Sequence, residues 1–419
     1  MKCIMNRGLY LRANGRLPCY CSSGETITLS KLPVNGDNFD IWNDYYTSAN
    51  FLKIRNNMSA DLVPFPGICD QCSYLEVDAD YEHGLEETEL EWFHWEPSSL
   101  CMLDCEWCHK ERIRYNNSKQ IRLLPIDLFK RVVEGFAKRG IRLNKGNICG
   151  VGETTMNHEV WDQISLVKNK LGGDILLSTN GNGKYSEKIV HSGLTKLKIA
   201  VDAVTQKEYQ KYRKDGELSK VLNFTKSVAD AKQKNKSELP KLIWQYILFN
   251  YNDSDEKLIQ FQNMALDYGI DQLRIIYTRC NNYSIRSPDD FPKVFKNIEF
   301  VPVSQYSQIT LKEVESIREQ NQLLINHRKY KEAAKGTIKL VNRLYHRLLL
   351  GVKNYNDILE VTKGLKYIKH NNNYLEISQN EYQDSVDHIR KSFLMLENLY
   401  RKMGHSEQAN SYRNFIEKG

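Results

Sequence analysis

Cys101, Cys105 and Cys108 stand in the run SSLCMLDCEWCHK, a C-x3-C-x2-C spacing with Trp107 just before the last thiol. Three thiolates on one short loop can hold three irons of a cubane [4Fe-4S] cluster. No fourth protein ligand follows, so one iron stays open for a small molecule that chelates it and takes up an electron. A structural zinc site is the competing chemistry. Zinc wants four ligands, and His109, next in line after Cys108, is poorly placed to join the same tetrahedron.

The chain has ten cysteines, at 3, 19, 21, 69, 72, 101, 105, 108, 149 and 280, and eight of them fall within the first 108 residues. Such clustering in a reducing compartment points to metal rather than disulfides. The 419 residues are 26% charged and 41% hydrophobic, the balance of a globular protein with room for two or three domains. No apolar run is long enough to span a bilayer, and Arg, Asn and Gly interrupt the N-terminus too early for a signal-peptide core. A cytoplasmic protein without membrane contact is expected. The net charge of +7 is spread among acids, as on a solvated surface, and nucleic acid is not an expected partner.

The elements that must position the thiols follow from periodicity. Residues 1–85 are loop-rich; GLYLRANGRLPCY reads as a hairpin about Asn14-Gly15, a helical period follows from Asp40, and PFPGICDQC brings a CxxC. Residues 86–290 alternate strands and helices: LEWFHW before the cysteine loop, the amphipathic IDLFKRVVEGFAKRG, NICGVGETT entering a Gly-rich turn, DILLSTNG, LKIAVDA, KLIWQYILFN and LRIIYT, with helices between. Repeated β-α units predict a parallel sheet curved into a partial or full barrel, with chemistry at the C-terminal strand ends. The cysteine loop leaves the first strand at that end. Residues 291–419 are patterned as helices, and Leu399, Gly404, Ala409 and Tyr412 are spaced as in a tetratricopeptide-like hairpin.

These ordered landmarks resemble the radical S-adenosylmethionine (SAM) superfamily over roughly residues 88–290. The resemblance implies an α/β fold, the partial (β/α) TIM-type barrel of those enzymes. It also implies a [4Fe-4S] cluster on Cys101, Cys105 and Cys108 with SAM on the open iron. Gly150-Val151-Gly152-Glu153 fills the place of the family's Gly-Gly-Glu segment, which binds the SAM amino group; Thr154 replaces the usual proline. Ser178, Thr179, Asn180 and Gly181 match a segment that holds the SAM ribose. Asp202 matches a strand-ending aspartate, with Tyr209 a turn later, and Gln245 a polar position near the ribose or carboxylate.

Cys3, Cys19, Cys69 and Cys72, with Cys21 as a substitute for Cys19, resemble the ligands of a SPASM or twitch auxiliary-cluster domain, here ahead of the barrel rather than after it. That implies a small Cys-rich domain with a second [4Fe-4S] cluster over residues 1–85; a zinc site suits the same four thiols. Cys149 and Cys280 read as core thiols, Cys149 near the cavity.

The resemblance implies reductive cleavage of SAM to a 5′-deoxyadenosyl radical, which takes hydrogen from a substrate C–H, with a flavodoxin or ferredoxin as electron donor. An auxiliary cluster favours oxidation, epimerisation or dehydration, and segment 244–257 is similar to relatives of carbohydrate and natural-product pathways. A sugar or other small metabolite is the expected substrate. A maturase of ribosomal peptides is the alternative, and a zinc-stabilised interaction protein without enzymatic activity is the alternative of another class.

Overall fold

In the computed structural model, residues 1–3, 5–19, 27–33, 38–72, 74–77, 88–106, 108, 123–278, 282–301, 311–350 and 379–418 are described. Cys21, Cys280, Trp107 and His109 lie outside them. The body is an eight-stranded, all-parallel sheet whose strands follow one another in chain order. They are β1 (Gly8–Leu11), β2 (Glu89–Trp95), β3 (Arg142–Ile148), β4 (Asp174–Thr179), β5 (Lys196–Ala200), β6 (Lys241–Leu248), β7 (Gln272–Tyr277) and β8 (Ile298–Val301). β1 and β8 are the two edges, so the barrel is open, as the partial-barrel reading requires. Outward residues such as Phe93, Leu177, Ile199, Trp244 and Ile275 are buried beneath the crossover helices. Inward ones are partly polar: His94, Asn147, Ser178, Lys198, Gln245 and Arg274. Alternate residues of a strand face opposite sides, so each strand feeds both the helix layer and the interior.

The helices match their apolar periods. Helix α1 (Ile126–Ala137) buries Leu128, Phe129, Val132, Val133 and Phe136, the face its sequence predicts. Helices α2 (Val160–Lys170), α3 (Leu218–Lys234) and α4 (Asp255–Asp267) cover the later strands.

The N-terminal hairpin forms differently from its sequence pattern. The turn is present, with Gly15 at φ 79° and Arg12 N–H donating to the Arg16 carbonyl at 2.9 Å. Its two arms then part. Arg16–Pro18 pairs with Thr28–Lys31, whereas β1 pairs in parallel with β2. All four residues of β1 are buried, and a strand covered on both faces belongs inside a parallel sheet rather than in an exposed hairpin. The sheet therefore draws both edge strands from beyond residues 86–290.

Residues 311–418 supply helices α5 (Leu311–Asn326), α6 (Tyr330–Leu350), α7 (Gln379–Lys402) and α8 (Ser406–Lys418). Gly404, at φ 83°, turns α7 into α8, and Tyr400 stacks on Tyr412 across that hairpin at 5.6 Å. The helices dock on the Cys-rich segment. Asn342 donates to the carbonyls of Asp70 and Cys72, both at 3.1 Å, Gln408 donates to the Val63 carbonyl, and Lys331 pairs with Asp61 at 2.6 Å.

Candidate active site

The three thiols of the loop line one cavity of about 260 Å³ at the C-terminal strand ends. Its other walls include Cys149 to Glu153, Ser178 to Asn180, Lys198, Ala200, Arg213 and Gln245. Of the residues expected to hold the first cluster and SAM, all but Gly181 and Asp202 line this cavity. A larger hollow of about 480 Å³ lies between α3 and α4, on the outside of the sheet and away from the cysteines.

Two glycines let the turn after β3 lie against the start of the cysteine loop. A Cβ on Gly152 would stand 2.5 Å from the Leu100 carbonyl oxygen, and one on Gly150 would stand 2.7 Å from the Glu96 carboxyl carbon. Glu153 N–H donates to Leu100 O at 2.7 Å, tying turn to loop. The Glu153 carboxylate is itself organised: Oε1 accepts from Thr155 N–H at 3.1 Å, Thr155 Oγ1 at 2.8 Å and Thr179 Oγ1 at 2.6 Å. Oε2 accepts from Asn180 N–H at 2.7 Å. Asn180 Nδ2 in turn donates to Cys101 Sγ at 3.7 Å and Met102 Sδ at 3.4 Å.

Asp202 is 2% exposed and sits behind the cavity wall. At φ 55°, a region that Asp tolerates better than most residues, it turns its carboxylate to Ile247 N–H at 2.7 Å and to Arg213 at 2.5 Å. Arg213 passes this on, donating to Cys105 Sγ at 3.6 Å. Burial opposes charge on Arg213, but the carboxylate beside it holds the guanidinium cationic. Burial also pushes the Cys105 thiol up, and Arg213 draws it part of the way back.

Glu96 and Arg213 are functional positions that the sequence pattern did not signal. Glu96, 2% exposed, accepts from Val151 N–H at 3.0 Å and from Ala13 N–H at 3.4 Å, and pairs with Arg12 at 3.6 Å. It joins the N-terminal strand to the Gly-rich turn. The only sequence signal was its place at the end of β2. Deeper in the barrel, Cys149 Sγ lies 3.3 Å from His94 Nε2 and 3.4 Å from Asn147 Nδ2, and His94 is held by the Cys149 carbonyl at 2.9 Å. Burial lowers the His94 pKa to about 4 and raises that of Cys149, so both are neutral near pH 7.

The second cysteine group is assembled from three places. The Lys2–Cys3 strand pairs with Leu75–Glu76, directly after Cys72. Cys69–Gln71 is a tight turn in which Cys72 N–H bonds the Cys69 carbonyl at 2.9 Å. Cys19 N–H bonds Ile27 O at 3.0 Å. Cys3, Cys19, Cys69 and Cys72 are all buried. Burial, and then the neighbouring thiol Cys19, pushes Cys3 up to about 12, and burial, Cys19 and Cys3 push Cys69 up likewise. Among the described residues, no three His, Cys, Asp or Glu side chains are closed to metal-holding spacing in either group. The fit is one of chemistry and access. The three loop thiols line one cavity, Cys3, Cys19 and Cys69 lie within electrostatic reach of one another, and a χ1 rotation re-aims a sulfur without moving the backbone. Buried, elevated thiols become stable thiolates when iron or zinc supplies the compensating charge.

Residues 95–262 match the model of the Radical SAM superfamily. Over 177 residues the chain is 29% identical to GTP 3′,8-cyclase of Alkaliphilus metalliredigens, covering 42% of this chain and 52% of that protein. It is 31% identical over 123 residues to a probable GTP 3′,8-cyclase of Methanococcus maripaludis, covering 29% and 39%. The match thus spans about half or less of these relatives. Among solved structures, it is similar to a radical SAM methyltransferase from Sphaerobacter thermophilus, at 12% identity and TM-score 0.35, over 49% of this chain and 64% of the other. Among the described residues, no helix is long and apolar enough to cross a membrane.

Proposed function

We propose, from the match of residues 95–262 to the Radical SAM superfamily model, that the chain cleaves SAM reductively and uses the resulting radical to take hydrogen from a small molecule bound inside the barrel. The observation that carries this is the convergence of Cys101, Cys105 and Cys108 with the Gly150–Glu153 turn, Asn180 and Gln245 on one cavity. Cys101, Cys105 and Cys108 would hold a [4Fe-4S] cluster there, which would supply the one electron that splits SAM at C5′–S into methionine and a 5′-deoxyadenosyl radical.

The chain's residues hold and shield that chemistry. Cys101, Cys105 and Cys108 are the three ligands. Asn180 and Arg213 donate to the first two sulfurs, which draws charge off them and favours a more reducible cluster. Glu153 lines the cavity, and among the described bonds its Oε2 accepts from the Asn180 backbone N–H alone, which leaves it the freer oxygen for the SAM ammonium. Of the polar cavity residues matched to the ribose and carboxylate, Asn180 and Gln245 take that role, and Ser178, across from Lys198, is left for the substrate. The Gln245 amide makes no hydrogen bond among the described residues and lines the cavity. Asp202 works through Arg213. Cys3, Cys19, Cys69 and Cys72 hold the auxiliary centre, a [4Fe-4S] cluster rather than zinc in this redox setting.

A sugar or other natural-product metabolite is the substrate expected from the sequence. The relatives favour a second reading, a purine nucleotide, because the curated matches carry the name GTP 3′,8-cyclase. Incubation of the anaerobically reconstituted protein with SAM and dithionite tests the central reaction. Formation of 5′-deoxyadenosine that stops when the three loop cysteines become alanine supports it, and its absence from the wild type refutes it. Deuterium transfer from labelled GTP or labelled sugars into 5′-deoxyadenosine then separates the substrates.

A further inference from the structure

Lys198 stands in the wall of the cavity and, among the described residues, forms no ion pair there. It stands on β5, two residues before the strand end, pointing inward and largely covered. Among the described residues it makes no hydrogen bond and no ion pair. Its charged neighbours offset the burial only in part. Arg274 repels it, and Glu299, the acid on that side, is engaged by Arg274 at 3.5 Å and Gln272 at 3.4 Å. Burial and Arg274 depress its ammonium, with Cys149 and Glu299 opposing. Directly across the strand pair, Ser178 is in register with Lys198 and faces the same cavity. The Ser178 hydroxyl is buried and, among the described residues, has no hydrogen-bond partner. The unpaired Gln245 amide stands one strand away in the next row, beside Ala200.

An uncompensated ammonium in a covered site is costly, and so is a buried hydroxyl without a partner. Side by side on one wall, the two form a cradle of donors with no acceptor of their own. We infer that Lys198 and Ser178 are the subsite for an oxyanion, a carboxylate or phosphate, carried by the substrate of the reaction proposed above. The bound group would supply the missing counter-charge and accept from the Ser178 hydroxyl. It would also fix the substrate in the barrel beneath the cysteine loop, with a neighbouring C–H turned toward SAM. Substrates without an acidic group would leave Lys198 unpaired and be rejected on that ground.

The inference rests on the radical SAM reading only for which molecule carries the anion, so two measurements separate them. The anaerobically reconstituted full-length protein is melted in the presence of millimolar inorganic phosphate or acetate, with ionic strength held constant by chloride. The wild type is expected to gain stability from at least one of the two. Lys198→Met, which keeps the stem and removes the charge, should bind it about ten-fold more weakly or worse, and Lys198→Arg should restore it. Without anion, Lys198→Met should melt above the wild type, because the unpaired charge is gone. A wild type indifferent to both anions, or a Lys198→Met protein that responds equally, overturns the subsite. The shift should persist under saturating SAM; if SAM abolishes it, the anion is SAM's own carboxylate and the assignment to substrate falls. Formation of 5′-deoxyadenosine, measured separately, reports on the radical reading alone.

Discussion

Tyr412 donates its phenol hydrogen to Asp70 Oδ1 at 2.6 Å, joining the last helix to the loop between Cys69 and Cys72 across 342 residues of chain. Asp70 Oδ2 accepts from Gly67 N–H at 2.7 Å, and Asn342 caps the same loop through two carbonyls. All these groups are covered, so the helical unit fixes the CxxC turn rather than resting on it. Tyr412→Phe leaves Asp70 short of a donor and should cost about 1–3 kcal/mol. Chemical denaturation checks the stability. If the CxxC holds a cluster, the iron content of the variant should fall while the loop at Cys101 keeps its own.

Gly152 is confined by backbone rather than by flexible side chains. A Cβ there meets the carbonyls of Ser98 and Leu100, and the Glu153 amide must reach Leu100 at 2.7 Å. Gly152→Ala should push the turn off the cysteine loop, at about 1–3 kcal/mol in stability and with a larger loss of SAM affinity. Equilibrium dialysis with labelled SAM measures the second effect. Unchanged affinity would remove this contact from the design of the site.

Asp202 is replaceable in shape by Asn, which also tolerates its φ of 55°. Asp202→Asn therefore tests charge alone. Arg213 would be left cationic without its partner in a largely covered position, a loss of about 3 kcal/mol or more. The electron paramagnetic resonance signal of the reduced Cys101 loop cluster should also change, since Arg213 bonds Cys105. A variant of wild-type stability and spectrum would contradict the relay.

Much of this was legible in the sequence, because the informative features are local. The thiol spacing at 101–108, the two glycines before Glu153 and the strand periods all act within a few residues of themselves. What stayed hidden depends on pairing at a distance. β1 looked like half of a hairpin because a parallel partner 84 residues away leaves no local mark. Arg213 and Glu96 lie in no motif, and their types alone mark neither as part of the site. Only the fold puts Asp202 behind one, and Arg12, Ala13 and Val151 around the other. Asp202 stands out in sequence as a strand-ending aspartate, but that its left-handed backbone turns it to Arg213 leaves no mark there.

His94 gives the protein an acid-sensitive interior. Burial lowers its pKa from 6.5 to about 4, so folding favours the neutral ring. Stability from this group is complete above pH 6.5 and is lost as pH falls toward 4, by about 3 kcal/mol in all. Urea midpoints measured from pH 7 to pH 4 should fall more steeply for the wild type than for His94→Gln. Parallel curves would mean that the ring is solvated or paired.

The central claim is that three thiols on one loop hold the cluster that cleaves SAM. It is tested most directly by iron analysis and 5′-deoxyadenosine formation on the anaerobically reconstituted protein, compared with its Cys101→Ala/Cys105→Ala/Cys108→Ala variant. The account predicts about eight irons per wild-type chain and about four in the variant, as two cubane clusters require, with 5′-deoxyadenosine formed by the wild type alone. Iron in neither protein, with zinc in both and SAM intact, would contradict it.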